Sequence, residues 1–403
     1  MNQRRAVLGR LGLGALGLLT ASCGGGGVGA LADVGSGGTG STTIGPVSGF
    51  GSVIVNGLRY DDSAAVITDD SGATVAASAL GLGMLVRVDG TLSDASNGRA
   101  ATIRVTSQLL GPLSAIDLAA GTLALLGQGV KLTATTVFAG VADAAGLVVG
   151  DTVEVWGALD PANATVTASR VERKTASGAF KLMGAVTAVN SGARSCTIGA
   201  LTVRYAGTSF ATGAVEIGDL VRVRAVLAPA AGVLVATEVE DVDAFGGDPG
   251  DAPTAKNGHQ LGVEGVVSGR VTGSALFRVG NVAVDASGAV FSGGTLAALA
   301  NGDRIEVSGP VTAGVLVATQ VEVKVDRDRE AQEFELHGPI TRFTSRASFV
   351  VRGVTVDASG SSVVFGGGTA ADLKLGAVVE VHGLIEGGAN GSVLMATAIG
   401  FGG

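Results

Sequence analysis

One short string, Gly-x-x-Val-x-Val, returns five times in this chain. It appears as Gly83–Val88, Gly150–Val155, Gly218–Val223, Gly302–Val307 (with Ile305 in the first valine place) and Gly376–Val381. From glycine to glycine the steps are 67, 68, 84 and 74 residues. A Gly-led segment precedes each copy by 34 to 39 residues, at Gly45, Gly111, Gly184, Gly265 and Gly338. An Ala/Thr-rich segment follows by 16 to 20 residues, from Ala101, Ala168, Ala236, Ala318 and Ala396. Three landmarks that keep their order through five copies make this a repeat architecture.

Inside each copy the pattern has the period of a strand. In Val153-Glu154-Val155 and Ile305-Glu306-Val307 the apolar residues point one way and the acids the other. Asn56-Gly57 between two such runs predicts a tight hairpin, with equivalent tips at Gly127-Gln128-Gly129, Gly199-Ala200, Gly280-Asn281 and Arg352-Gly353. A Phe then follows in copies two to five (Phe138, Phe210, Phe291, Phe365), where copy one has Ile67, and reads as a plug for a core. A short Ala/Leu/Gly stretch such as Thr295–Ala300 has room for one or two helical turns.

Strand, strand, strand, helical turn, strand, strand is the connectivity of an OB-like barrel, and a small β-sandwich shares the strand pattern. The expectation is therefore all-β: a tandem array of five small five-stranded OB-like barrels. Units of this size bury a modest share of their surface, so neighbours should pack together. The bounds are 44–107, 108–175, 179–243, 259–325 and 335–403, with a Gly/Pro/Asp-rich linker at 244–258 and a charged connector at 326–334.

Composition narrows the function. Only 15% of residues are charged, which excludes long exposed helices and coiled coils. A net charge of −8 argues against binding that works by neutralising phosphates, so oligonucleotide binding by the OB-like units is the weakest reading. Two cysteines, Cys23 and Cys196, cannot make a disulfide-stapled scaffold or a Cys-rich zinc module.

Residues 1–22 have the layout of an export signal: Arg4 and Arg5, an apolar middle to Leu19, then small residues before Cys23. Arg4-Arg5 is similar to a twin-arginine signal, and Leu19–Cys23 resembles a bacterial lipoprotein signal in which Cys23 is lipidated. Residues 23–43 read as a Gly/Ser-rich spacer. Removing residues 1–22 takes Arg4, Arg5 and Arg10 and no acid, leaving a charge of −11 on a soluble body tethered by lipid at Cys23. Plain cleavage to a periplasmic or secreted protein is the alternative. Cys196, without a partner once Cys23 is consumed, reads as a buried small apolar residue.

The string Gly49–Asp61 (GFGSVIVNGLRYD), the VDASG strings at Asp285 and Asp357, and the Gly-Asp before the fourth strand resemble a bacterial family built on repeats of "domain of unknown function 5666". Its members often begin with a lipoprotein signal running into a Gly tract, as Cys23–Gly27 does here. The resemblance covers Gly45 to the C-terminus and is strongest in copies one, four and five; copy three has Ala225 where the others have Gly. It implies an exported OB-like β module, and no activity.

Chemistry-bearing residues are few. His259, His337 and His382 show no HxH or HExxH spacing and read as exposed strand or loop residues, so no metal or cofactor is expected. The acids at Asp61-Asp62, Asp69-Asp70, Asp248/Asp251, Asp285 and Asp326/Asp328 match no calcium loop and read as side-chain turns. In the column that follows Val-x-Val, namely Asp89, Trp156, Arg224, Ser308 and His382, the side chain should face away from the barrel interior. Trp156 and His382 are the candidates for a surface that binds a glycan or another envelope protein, and packing of Trp156 against the next module is the competing reading. The expected function is a non-catalytic cell-envelope lipoprotein, an elongated scaffold or binding surface. The alternative is an enzyme or accessory subunit for envelope polysaccharide, working through an acid pair such as Glu154 and Asp151.

Overall fold

The computed structural model describes residues 40–94, 96–175, 178–205, 214–242, 257–279, 282–324, 333–389 and 391–402. Cys23 and its signal, Phe210, the Gly280-Asn281 tip, Asp248, Asp251, Asp326 and Asp328 lie outside them. Every described segment is strand, turn or single 3-10 turn, and no helix among the described residues is long and apolar enough to cross a membrane.

Five barrels follow one another, at Gly40–Val105, Leu109–Arg173, Phe180–Asp241, Gln260–Val323 and Phe334–Phe401. In barrel 1 the first strand (Gly40–Phe50) pairs with the second (Val53–Val55), and the second with the third (Leu58–Asp61), all antiparallel. The third runs parallel to the last (Asn97–Val105). The last pairs antiparallel with the fourth (Leu85–Leu92), which returns to the first and closes the ring. The order one-two-three-five-four-one recurs in the other four copies. It is the closed OB-like barrel, and the sandwich reading falls away.

The local chemistry is legible in these elements. Asn56 and Gly57 sit at φ of 50° and 72°, the two positive values a two-residue hairpin turn demands, and Arg352-Gly353 repeats them at 51° and 80°. In barrel 2 the tip is Leu126-Gly127, one residue earlier than expected, because Gln128 already belongs to the third strand. Asp285 and Asp357 accept from the Ser287 and Ser359 amides at 2.9 and 2.7 Å, so the VDASG strings are side-chain turns. The helical stretch shrinks to one 3-10 turn in barrels 1, 2 and 5. Before it, an extra three-residue strand pairs parallel with the last strand in barrels 1, 2, 4 and 5. This strand carries Ile67, which is buried, and Phe138, Phe291 and Phe365, which are half-buried lids.

Two sequence boundaries shift. The first strand begins at Gly40, inside the segment read as spacer, because the β-branched Thr42 and Thr43 pair with Asp89 and Val88 and Thr43 hydrogen-bonds the buried Tyr60 hydroxyl at 2.6 Å. The strand of barrel 5 begins at Phe334, which the sequence left in the connector.

The larger correction concerns assembly. In a row of modules each would touch only its neighbours, but here barrel 1 touches all four others. Its first strand continues in parallel into that of barrel 4 (Ser41–Ile44 beside Gln260–Val263) and, at Gly49-Phe50, into that of barrel 5. Barrel 2 reaches it through Ser169 and Arg170, which donate to the Gly83 and Leu82 carbonyls, and barrel 3 through Asp70. Barrels 2 and 3 share one apolar core, barrels 1 and 5 a second. A third joins barrel 4 to Ile44, Met84 and Leu85 of barrel 1 and Trp156 of barrel 2.

Candidate functional site

Alternation along the first and fourth strands sends every second residue outward. Two such residues from each strand, facing each other across the ladder, form a square on the outer wall of each barrel. In barrel 1 the square is Thr42↔Asp89 and Ile44↔Arg87, and in barrel 3 Lys181↔Arg224 and Met183↔Arg222. In barrel 4 it is Gly262↔Ser308 and Glu264↔Glu306, and in barrel 5 Glu335↔His382 and His337↔Glu380. In barrel 2 Leu110↔Glu154 forms one side, with Trp156 two residues on. The column picked from the sequence runs through these squares.

The squares are where barrels dock. Trp156 does face away from its own barrel, but it is only 3% exposed and joins the core of barrels 1 and 4. The Arg170 guanidinium and Lys174 ammonium lie 5.7 and 5.6 Å from its ring centre. This corrects the surface-binding role for Trp156: a large aromatic is worth more covered by a neighbouring barrel than wet.

The square of barrel 3 grips a loop of barrel 1. Asp70, 7% exposed at its side chain, pairs with Lys181 and lies 3.3 Å from Arg224 Nη2, while Arg222 Nη1 and Arg224 Nη2 donate to its carbonyl at 2.9 and 2.8 Å. Burial pushes the Asp70 carboxyl up; the Lys181 charge and hydrogen bond, with Arg222 and Arg224 behind them, outweigh it and hold the group below the usual range. Lys181 also lies 3.6 Å from Glu154 of barrel 2, which accepts from Ser107 at 2.6 Å and pairs with Lys174 at 3.0 Å. Glu154 is thus a structural counter-ion at a three-barrel junction. Asp151 accepts from the Val148 amide, as Asp219 and Asp303 accept from Glu216 and Ala300, so the repeated Gly-Asp closes a turn. Cys196 is buried and free, its thiol pushed up to about 11 by desolvation.

The square of barrel 5 differs. Arg59 of barrel 1 forks onto both carboxylate oxygens of Glu335, yet Glu380 and His382 keep 47% and 33% of their side-chain surface. His382 Nε2 lies 3.3 Å from Glu380 Oε1, and its Nδ1 lies 4.0 Å from Glu335 Oε2. His382 is thus half-buried at the open edge of this square, and it is clustered. The ligand-type atoms of Glu335, Glu380 and His382 lie within 4.8 Å of one another. Linear spacing could not show this, because the residues meet across a ladder.

Docking leaves concave space between barrels. A groove of about 1040 Å³ opens among barrels 1, 2 and 5, lined by Leu80–Leu82, Phe138, Arg170 and Glu172, and by Arg342, Asp357, Glu386 and Gly387. Burial raises the Glu172 carboxyl, but the Arg170 charge and hydrogen bonds from Lys174 and Arg170 leave it below its ordinary value. A second groove of about 580 Å³ lies between barrels 2 and 4, by Asp160, Asn163, Gly293-Gly294 and Lys324.

A chain of closed OB-like barrels welded through their first and fourth strands defines a class of tandem-barrel proteins. Residues 111–172, 183–240, 264–322 and 337–400 match the family described as "Domain of unknown function (DUF5666)", and the chain belongs to it. The four matched stretches fall in barrels 2 to 5; barrel 1, which holds the Gly49–Asp61 string, lies outside them while repeating the same strand order. No curated protein sequence matches the chain. Among solved structures, the "drosophila Unr CSD456" chain is 13% identical, over 54% of this chain and 95% of that one, at a TM-score of 0.15.

Proposed function

We propose that this chain is a non-catalytic, lipid-anchored protein of the bacterial cell envelope whose barrels hold an extended polar polymer, a glycan strand of the envelope, in the groove among barrels 1, 2 and 5. The groove itself carries the reading. It is the larger of the two grooves between barrels, and it mixes apolar floor (Leu80, Leu82, Phe138) with exposed charges of both signs (Arg342, Glu386). That mixture suits a ligand rich in hydroxyls better than a polyanion. Soluble cell-wall glycan fragments are expected to bind the mature protein in calorimetry, and Arg342→Ala with Glu386→Ala to weaken binding about tenfold, at near-unchanged stability because both side chains are exposed. Absence of glycan binding by the intact protein sinks this reading.

Three carboxylates, Glu172, Asp357 and Glu386, line the same groove and favour the polysaccharide-enzyme alternative. Against it, a glycosidase needs one carboxyl held protonated. Glu172 is shifted the other way, held there by the Arg170 charge and the hydrogen bonds from Lys174 and Arg170.

The anchor rests on the Leu19–Cys23 string. Growth with a labelled fatty acid is expected to label the wild-type protein and leave Cys23→Ala unlabelled; label retained by that variant refutes lipidation at Cys23.

A further inference from the structure

We propose that the open square of barrel 5 is a binding site for a divalent transition metal of the zinc, copper or nickel class, with Glu335, Glu380 and His382 as its ligands. Two of the three histidines in 403 residues, His337 and His382, fall on this one square, each opposite a glutamate. The square of barrel 4 also holds two carboxylates, Glu264 and Glu306, but Arg304 and Lys324 pair with them and Ser308 stands where barrel 5 has His382. The squares of barrels 1 and 3 carry Arg87, Met183 and Arg222. One imidazole nitrogen and two carboxylates are a borderline donor set that suits these metals and not calcium or magnesium. Ligands about 2.0–2.1 Å from a tetrahedral centre stand about 3.4 Å from one another. His382 Nε2 and Glu380 Oε1 are already 3.3 Å apart, and turning the His382 ring and the exposed Glu380 side chain toward the fixed Glu335 carboxylate closes the rest of the 4.8 Å spread.

Arg59 supports the site. A carboxylate offers about four lone-pair directions, so the fork from Arg59 leaves Glu335 free to accept a metal on its other side. Arg59 then fixes the Glu335 rotamer, the part that outer residues play around metal ligands. The charge also balances: Glu335 and Glu380 against Arg59 leave one uncompensated negative charge for a dication to meet. His337 is held apart from the set. Its backbone runs beside barrel 1, where a Cβ on Gly51 would lie 2.5 Å from the His337 Cβ.

The test uses the mature full-length chain. Calorimetry with zinc chloride is expected to give one site per chain, and His382→Ala and Glu380→Gln to weaken it at least about tenfold each. Both residues are exposed enough for the variants to fold, which a thermal melt checks. His259→Ala, in barrel 4, should bind as wild type. Cobalt(II) is expected to show the visible bands of a tetrahedral site, lost in His382→Ala. No zinc uptake by wild-type protein, uptake unchanged in His382→Ala, or equal uptake of calcium overturns the proposal.

Discussion

Asp70→Ala is expected to destabilise the protein by about 3–5 kcal/mol, the range for removing one partner of a buried ion pair. The variant strands Lys181, 9% exposed at its side chain, without its principal counter-ion and takes the Asp70 carboxylate from Arg224. The cost should appear as a lower urea midpoint, together with faster hydrogen exchange in the first and fourth strands of barrel 3. Asp70→Leu combined with Lys181→Met should recover much of the loss, because a packed apolar pair does not have to desolvate charge. The sign of the acid response follows from the lowered carboxyl of Asp70. Its contribution is complete above the unfolded carboxylate value, about 3.9. It disappears as pH falls through the lower folded value, and raising the pH from neutrality leaves it untouched. Acid should therefore loosen barrel 3 from barrel 1, and in Asp70→Ala that step should be missing. An Asp70→Ala melt that overlays wild type defeats this account.

This junction shows where the sequence stops being informative. The hairpins, the anchor strings and the Asx turns are local: Asn56-Gly57 needs positive φ, Asp285 and Asp357 reach amides two residues on, and each can be read from a few neighbouring letters. Asp70 meets Lys181 across 111 residues and Arg59 meets Glu335 across 276. No periodicity encodes such a meeting. The outward column was legible as outward, since Val153 and Val155 flank Glu154 and face the barrel interior. Whether an outward residue is wet depends on which barrel covers it, so the sequence leaves Trp156 open between a binding surface and packing against an adjoining module, and it lies in a core. Aligning the five copies on their glycines would have put Glu335 opposite His382 and His337 opposite Glu380, and that register is the signal that finds the barrel 5 cluster.

The five squares explain why the copies differ where they do. Inward positions are held to Val, Ile and Leu by one common barrel interior. Outward positions answer to different neighbours: a cation set for the Asp70 loop on barrel 3, an indole for barrels 1 and 4 on barrel 2, and a Thr42 hydroxyl for His259 of barrel 4 on barrel 1. Variation in the column records assembly, and among the described residues the square of barrel 5 is the one that brings a histidine and two carboxylates together.

Gly309→Ala is expected to open the outer half of barrel 4, and Ala225→Gly to close that of barrel 3. After the docking column each barrel reaches a point where the fourth strand crosses very near the last. A Cβ added there would meet a backbone carbonyl oxygen at 2.1 Å for Gly90, 2.0 Å for Gly157, 2.1 Å for Gly309 and 2.2 Å for Gly383. Barrel 3 has Ala225 in this place. Its ladder ends at Arg224↔Glu238, the rung that matches Ser308↔Gln320 in barrel 4, but where barrel 4 resumes at Val311↔Leu316 and Thr312↔Val315, barrel 3 has only the single bridge Ala230↔Val233. Beyond it Leu227 is 67% exposed, whereas its barrel 4 counterpart Val311 is fully buried and paired with Leu316. Gly309→Ala should cost about 3 kcal/mol, combining overpacking with exposure of Val311. Hydrogen exchange should rise at Val311, Thr312 and Val315 alone. Ala225→Gly pays about 0.5–1 kcal/mol of backbone entropy. It should regain about 2 kcal/mol by burying Leu227, for a net gain near 1 kcal/mol. New protection should appear at Val226 to Ala228. If Gly309→Ala leaves the outer pairing of barrel 4 protected, the close crossing is not what keeps the ladder of barrel 3 from resuming.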